Sequence, residues 1–222
     1  MLMTKNKSKN YKRLALVLLD RDGVLCDNGL NGIHSMSEFR LVSGLSAVMR
    51  KLGKDAFRIG VITNQPDISR GTLTKTMLGR MNNKITEIVT KAGIKKEYFT
   101  INSCPHTNED NCSCRKPRTG LIKRTMEHFG LQPEGLRFYM VGDKLVDMQT
   151  MENYYEKFLK PRGIRRNCVT TILLRWKYAE RNKEKRLYTV NNAKVKPDIE
   201  VKSLDSAINL ILNMESKAEL LT

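Results

Sequence analysis

The chain has 222 residues, a formal net charge of +17 at pH 7 and 40% hydrophobic residues. This length fits one domain with a sizeable core, and without an apolar run of about 18 residues we expect no membrane-spanning helix. The five cysteines are odd in number and three lie within eleven residues, which argues against a secreted disulfide framework. We therefore expect a cytoplasmic protein, and a monomer, in which a cysteine cluster binds metal.

The positive charge is concentrated in two segments. Residues 1–13 hold five basic and no acidic residues, and residues 157–202 hold 14 basic and 4 acidic residues. We interpret residues 1–13 as a flexible basic tail, with a mitochondrial leader as the alternative. Residues 177–197 lack clear periodicity and are predicted to form an exposed basic insertion, either a loop or a hairpin. Because basic surfaces attract phosphate groups, residues 157–202 leave nucleic acid open as a partner besides a small phosphorylated substrate.

Short β-rich apolar runs alternate with helical patterns along the rest of the chain. Strands are predicted over 14–20, 57–63, 98–103, 138–143, 169–174 and 197–201. Helices are predicted over 44–53, 73–92, 118–129, 145–159 and 203–213. This alternation predicts one Rossmann-like α/β domain over 14–222, a three-layer α/β/α arrangement around a parallel sheet. In such folds ligands bind at the carboxyl ends of the strands.

The first predicted strand ends in two acidic residues, Asp20 and Asp22, followed by Gly23. Buried carboxylates this close together require a cation to neutralise them, and their hard oxygen atoms suit Mg²⁺. Gly23 allows a turn and a close approach of the backbone. Taken alone, the same pattern fits a simple turn after a strand.

Polar residues also follow the second predicted strand and precede the third predicted helix. Thr63, Asn64 and Gln65 end the second strand, and their side chains can hold phosphoryl oxygens. Arg115 and Lys116 lie just before the helix, where an anion is favoured by the helix N-terminus. Both groups are therefore candidates for phosphate binding.

The fourth predicted strand adds a third acidic residue at a strand end. It finishes in Asp143 and Lys144, and Asp147 follows, where it can form a hydrogen bond or support a metal site. Because the strands are predicted to be parallel, these residues and Asp20 lie at one edge of one sheet. The sequence therefore predicts a magnesium-dependent phosphate site at this edge.

One histidine and three cysteines lie within eleven residues: Cys104, His106, Cys112 and Cys114. Four thiolate and imidazole ligands suit structural Zn²⁺, although CxH followed by CxC is not a classical finger. Since protein would fill all four positions, we interpret residues 104–114 as a structural zinc loop. The loop ends directly at Arg115 and Lys116, so we expect zinc to shape substrate access.

These elements in this order resemble the haloacid dehalogenase (HAD) superfamily of phosphotransferases, in a form without a large cap domain. The resemblance implies that Asp20 is the nucleophile that forms an aspartyl-phosphate, and that Asp22 is the general acid and then the base. It implies that Thr63 and Lys116 hold the transferring phosphoryl group. The implied Mg²⁺ ligands are Asp20, the backbone carbonyl of Asp22, and Asp143.

The segments CPH, CxCRKP and MVGDKLVDMQ, with LDRDGVL and VITNQ, closely resemble one branch of that superfamily. This branch contains heptose-1,7-bisphosphate 7-phosphatase and the phosphatase of histidinol phosphate, and its zinc loop takes the place of a large cap. The resemblance implies that Asn64, Arg115 and Lys144 contact the substrate. The sequence after Lys144 is longer and more basic than the pattern of this branch, which leaves the specific substrate open.

The leading hypothesis is Mg²⁺-dependent hydrolysis of a phosphomonoester, either a sugar phosphate such as heptose 1,7-bisphosphate or a similar metabolite such as histidinol phosphate. One alternative is a polynucleotide 3′-phosphatase, which the basic segment would suit but with which the cysteine cluster is not usually associated. Another is a non-catalytic binding or assembly protein on the same fold. That alternative predicts the loss of Asp20, Asp22 or Asp143, and all three are present.

Overall fold

The computed structural model describes residues 14–27, 32–53, 56–175, 189–190 and 193–219. The predicted tail, residues 1–13, lies outside this part of the chain, as does most of the predicted basic insertion. Within the described residues, no helix is both long enough and apolar enough to cross a membrane.

Six of the described strands are those that the apolar runs predict, with ends that agree to within two residues, and two short strands lie in the segment predicted as a loop or hairpin. Their bounds are β1 Ala15–Leu19, β2 Phe57–Asn64, β3 Phe99–Cys104, β4 Arg137–Gly142, β5 Val169–Leu174, β6 Thr189–Val190, β7 Ala193–Lys194 and β8 Ile199–Val201. Six of them form one parallel sheet in the order β3-β2-β1-β4-β5-β8. β6 and β7 form a separate antiparallel pair within the predicted insertion.

Helices cover both faces of the sheet, so the predicted three-layer α/β/α fold is confirmed. Their bounds are α1 Leu45–Lys51, α2 Lys75–Lys91, α3 Gly120–His128, α4 Leu145–Tyr154 and α5 Leu204–Glu219. α1, α2 and α5 pack on the face that Val17 and Leu19 of β1 line, whereas α3 and α4 pack on the face of Leu16 and Leu18. Because β1 is buried on both faces, its sequence is continuously apolar rather than alternating.

The helix predicted over 145–159 is α-helical only in its first part. α4 ends at Tyr154, and a wider π-helical turn, Tyr155–Leu159, follows. Both end residues of this turn are buried in the core beside α4. Pro161 stands in the short 3₁₀ turn that comes next and has no N–H to continue a helix. The helical periodicity of the sequence over 145–159 therefore does not predict this change of helix type.

Other helix ends also differ from the sequence prediction, since α1 ends at Lys51 instead of residue 53 and α2 begins at Lys75 instead of residue 73. α3 begins at Gly120, two residues later than predicted, and the Gly120 N–H donates to the carbonyl of Ser113 at 3.1 Å. α5 extends to Glu219 instead of residue 213. Ser203 caps this helix, because Ser203 Oγ accepts a hydrogen bond from the backbone N–H of Ser206 at 3.1 Å.

The connections after β1 and β3 at the carboxyl edge of the sheet are too short for a separate domain. Residues 20–44 follow β1 and residues 105–119 follow β3, and both are smaller than the roughly 50 residues of a small domain. This agrees with the predicted absence of a large cap. The edge where β1 to β4 end is therefore covered by loops, and these loops carry the predicted site residues.

Candidate active site

Four neighbouring strands bring the predicted site residues to one edge of the sheet. Leu19, the last residue of β1, is in register with Val61 of β2 and with Val141 of β4. Asp20 and Asp143 therefore leave adjacent strands at nearly the same level, which is the arrangement that the parallel order predicts.

Three carboxylates meet at this edge. One oxygen each of Asp20, Asp143 and Asp147 lies within 4.8 Å of the others. Burial raises the pKa of Asp20 to about 6, with a further rise from Asp147 that Lys116 opposes. Burial likewise raises the pKa of Asp143 to about 7, against the effect of Lys144. Both pKa values are raised mainly because burial disfavours the charged form, so a bound cation would favour the ionised carboxylates.

The donor set of this cluster fits a hard divalent cation. Asp143 Oδ1 is buried and has no hydrogen-bond partner among the described residues, and the nearest cation, Lys144 Nζ, is 3.8 Å away. A buried oxygen without a partner is costly unless a cation or water satisfies it. Carboxylate oxygens are the ligands that Mg²⁺ prefers.

Two glycines allow these carboxylates to come so close to the backbone. A Cβ atom at Gly23, where φ is +87°, would overlap the Asp143 carboxylate. A Cβ atom at Gly142 would overlap the side chain of Asp147. Both positions therefore require glycine for the cluster to form.

Lys116 supplies the buried positive charge of the site. Its Nζ lies 2.8 Å from Asp20 Oδ1 and 2.6 Å from Asp147 Oδ1, and it donates to the carbonyl of Ile62 at 3.0 Å. Burial lowers the pKa of Lys116, but Asp147 and Asp20 raise it by more, so the pKa lies above its ordinary value. The amine is therefore charged and is fixed beside Asp20.

Asn64 holds the backbone of Lys116 in place. Its Nδ2 donates to the carbonyl oxygen of Lys116 at 3.1 Å, and the N–H of Lys116 donates to Asn64 Oδ1 at 2.9 Å. This pair of bonds joins the end of β2 to the segment before α3. The side chain predicted to contact substrate thus also positions the lysine.

Asp22 and Thr63 lie beside the cluster and belong to a separate network. Asp22 forms a bidentate ion pair with Arg21, whose side chain is 1% exposed. Thr63 is also buried, and its Oγ1 accepts a hydrogen bond from Gln65. Sequence reasoning assigned no role to Arg21, because its type and position do not distinguish it from a solvated arginine.

The other two residues that are predicted to contact substrate differ in the exposure and hydrogen bonding of their side chains. Arg115 is half-buried, with its guanidinium bonded to the carbonyl of His106 at 2.9 Å and to Asn108 Oδ1 at 2.7 Å. Lys144 is exposed at the mouth of the site. The position of Arg115 is therefore determined by the cysteine-containing loop.

That loop brings the four predicted zinc ligands together. The sulfur atoms of Cys104, Cys112 and Cys114 lie 3.2–3.6 Å apart, and His106 Nδ1 lies 3.4–3.6 Å from two of them. A tetrahedral zinc site with bonds of about 2.3 Å has donors about 3.8 Å apart. The backbone N–H of Arg115 also donates to Cys112 Sγ at 3.4 Å, which favours a thiolate. These side chains fit a closed tetrahedral metal site.

Comparison with known proteins relates this site to phosphatases. The family model described as polynucleotide kinase 3 phosphatase matches residues 16–156. D-glycero-beta-D-manno-heptose-1,7-bisphosphate 7-phosphatase of Neisseria meningitidis is 34% identical over 139 residues, 63% of this chain and 72% of that protein. The histidine biosynthesis bifunctional protein HisB of Actinobacillus pleuropneumoniae is 31% identical over 139 residues, 62% of this chain but 37% of HisB.

A solved structure supports the same assignment of the fold. D,D-heptose 1,7-bisphosphate phosphatase from B. bronchiseptica, in complex with magnesium and phosphate, aligns with a TM-score of 0.66 and 20% identity, over 90% of this chain and 99% of that one. The sequence matches go further than the shared fold. The chain belongs to the polynucleotide kinase 3 phosphatase family and, as its motifs predict, to the HAD phosphatases that include the heptose bisphosphate 7-phosphatases.

Proposed function

We propose that the protein hydrolyses a small sugar phosphate through an aspartyl-phosphate formed on Asp20. The observation that carries this proposal is the buried Asp20 carboxylate, 2.8 Å from Lys116 Nζ and clustered with Asp143 at the carboxyl edge of the sheet. The similarity to heptose bisphosphate phosphatases supports heptose 1,7-bisphosphate as the first candidate substrate. The resemblance of the motifs to the phosphatase of histidinol phosphate supports that metabolite as the second.

The reaction takes two steps. First, an Asp20 carboxylate oxygen bonds to phosphorus while the bond from phosphorus to the leaving oxygen breaks, and Asp22, in its protonated form, gives a proton to that oxygen. Water then attacks phosphorus, gives a proton to Asp22, and releases phosphate and the Asp20 carboxylate. Thr63 and Lys116 hold the phosphoryl oxygens in both steps. A covalent intermediate divides one difficult displacement into two easier ones.

Asp20, Asp143 and the backbone carbonyl of Asp22 would hold Mg²⁺. The bound ion would neutralise carboxylates and polarise the phosphoryl group. Asp147 is already bonded to Lys116 at 2.6 Å, so we assign it the role of positioning that lysine.

Structural Zn²⁺ would be held by Cys104, His106, Cys112 and Cys114. The loop that it closes holds the guanidinium of Arg115, which we propose contacts the substrate together with Asn64 and Lys144. Zinc would thus act on substrate binding through Arg115 and take no direct part in the chemical steps.

A polynucleotide 3′-phosphatase is the second candidate, supported by the family match and by the basic segment 157–202. Part of that basic charge is already neutralised within the protein. Four of its described basic residues form ion pairs, namely Lys160, Arg162, Arg166 and Arg175. This pairing reduces the charge that remains for a nucleic-acid backbone, so we rank the sugar phosphate first.

The test compares kcat/KM for heptose 1,7-bisphosphate, histidinol phosphate and a 3′-phosphorylated oligonucleotide, each at low and high salt. We expect kcat/KM to be highest for heptose 1,7-bisphosphate and to depend only weakly on the salt concentration. Preference for the oligonucleotide with a steep decline in salt would establish the second candidate instead. An Asp20→Asn variant that kept the wild-type rate on all three would refute the mechanism.

A further inference from the structure

Asp22 accepts four hydrogen bonds from three residues, Arg21, Cys26 and Gln65. Its Oδ1 accepts from Arg21 Nε at 2.9 Å and from Cys26 Sγ at 3.2 Å. Its Oδ2 accepts from the terminal guanidinium nitrogen of Arg21 at 3.1 Å and from Gln65 Nε2 at 2.5 Å. Because both oxygens are bonded, the plane of the carboxylate is fixed.

The donors approach Asp22 from inside the protein. The side chain of Asp22 is 21% exposed, whereas Arg21 is 1% exposed and Gln65 is 4% exposed. A third residue, Asn82 of α2, accepts from the remaining guanidinium nitrogen of Arg21 at 3.4 Å and anchors it. Asp22 is therefore held by buried side chains while part of it remains accessible.

Gln65 is bonded to two of the proposed reaction residues at once. The same Nε2 that donates to Asp22 also donates to Thr63 Oγ1 at 2.9 Å, and an amide nitrogen has one N–H for each. The Gln65 backbone is fixed too, because its N–H donates to the carbonyl of Cys104 at 2.7 Å. Since the Thr63 oxygen accepts from Gln65, the Thr63 hydroxyl proton remains free to be donated to another acceptor.

We infer that Gln65 is a positioning residue, which holds the proton donor Asp22 and the phosphoryl-binding Thr63 in one fixed relative geometry. The inference rests on the function proposed above. The leaving oxygen and the phosphoryl oxygens are attached to the same phosphorus atom. Asp22 and Thr63 must therefore be placed to fit the tetrahedral arrangement of these oxygen atoms. A misplacement of about 1 Å in such a site can lower the rate about 100-fold.

The effects of losing the two hydrogen bonds of Gln65 can be distinguished by comparing two substrates with different leaving groups. A sugar alkoxide is a poor leaving group and needs the proton of Asp22, whereas p-nitrophenolate leaves without one. The Thr63 hydroxyl contacts the phosphoryl group, which both substrates share. Loss of Thr63 orientation therefore lowers kcat/KM for both substrates equally, and loss of Asp22 orientation lowers it for the sugar phosphate alone.

The decisive variant is Gln65→Met, which keeps the chain length and removes both donors. We expect kcat/KM for heptose 1,7-bisphosphate to fall about 100-fold and that for p-nitrophenyl phosphate to fall less than about tenfold. Gln65→Glu keeps the size of the side chain but places a carboxylate against Asp22. The ratio of kcat/KM for heptose 1,7-bisphosphate to kcat/KM for p-nitrophenyl phosphate should therefore fall in this variant as well. A wild-type ratio of the two values in both variants overturns the inference.

A matched control removes a similar bond between two residues to which no role in the reaction is assigned. Thr125 is buried in α3, and its Oγ1 accepts from the amide of Asn102 at 2.9 Å. Thr125→Val should lower the melting temperature and leave the ratio of kcat/KM values unchanged. If Thr125→Val shifted the ratio as Gln65→Met does, the shift would report general destabilisation and the inference would fail.

Two further variants separate this inference from the proposed function. Asp20→Asn should lose both activities, and Asp22→Asn should lose sugar phosphate hydrolysis more than hydrolysis of the aryl ester. If both behave so while Gln65→Met leaves the ratio unchanged, only the role of Gln65 is refuted. If Asp20→Asn remains active, the mechanism itself is wrong and the inference fails with it.

Discussion

Two clusters of potential metal ligands lie at the same edge of the sheet, and they differ in donor type and in completeness. The oxygen cluster of Asp20, Asp143 and Asp147 includes a buried oxygen without a hydrogen-bond partner among the described residues. The sulfur cluster, held between β3 and α3, has four donors at tetrahedral spacing. An incomplete donor set leaves positions for a reacting ligand, whereas a complete one leaves none.

The difference between the two clusters indicates that they have different functions in the site. The oxygen cluster follows directly from β1 and β4, so the rigid sheet sets the distance between its carboxylates. The sulfur cluster organises a loop, and that loop carries Arg115 and leads into Lys116. We expect changes in the oxygen cluster to affect the chemical step, and changes in the sulfur cluster to affect stability and substrate binding.

The largest effect on activity is expected from Asp20→Asn. Because the amide cannot form the aspartyl-phosphate, kcat should fall at least about 1,000-fold. The sulfur cluster is untouched, so metal analysis should still find about one zinc per chain, as in the wild type. A variant that lost zinc together with activity would show that the two clusters do not act separately.

Lys116→Met should have the next largest effect. It leaves Asp20 and Asp147 buried without their common cation, so we expect the free energy of unfolding to fall by about 3–5 kcal/mol. We expect kcat to fall about 100-fold as well. Urea unfolding and steady-state kinetics measure both quantities. Lys144→Met is the control for stability, since this exposed lysine should change the unfolding free energy by less than about 1 kcal/mol.

Cys112→Ser should act mainly on binding and stability. If the cluster binds zinc as proposed, loss of one thiolate should release the metal and free the loop that holds Arg115, so we expect kcat/KM to fall about tenfold, mostly through KM. Metal analysis and thermal unfolding check the cause. Cys168→Ser changes a cysteine outside the cluster and should keep zinc and activity. Full zinc content in Cys112→Ser would contradict the proposed ligand set.

The smallest effect is expected from Arg118→Gln. Arg118 is exposed and donates to the carbonyl of Cys112 at 2.6 Å and to Asn111 Oδ1 at 3.1 Å. These bonds support the zinc loop without contacting metal, so the melting temperature should fall by less than about 3 °C. Zinc loss as complete as in Cys112→Ser would mean that hydrogen bonds, not the sulfur donors, determine the loop structure.

The sheet and the site edge could be predicted from sequence because they depend on local patterns. β1 and β4 are short apolar runs, and parallel order places the acidic residues that follow them side by side. The bonds of Gln65 and Asn64 could not be predicted in this way. They depend on side-chain directions across neighbouring strands, so the sequence showed only that amides stand near phosphate-binding residues. The burial of Arg21 is determined by Asp22 and Asn82, which no periodicity reveals.

The glycines at positions 23 and 142 give a criterion for distinguishing active relatives from inactive ones. A relative could keep all the acidic residues of the site and still be unable to bring them together, if either glycine were replaced. Such a chain would resemble an enzyme by its aspartates and yet serve only as a binding or assembly protein. Within this family, the absence of two side chains is thus as informative about catalysis as the presence of the carboxylates.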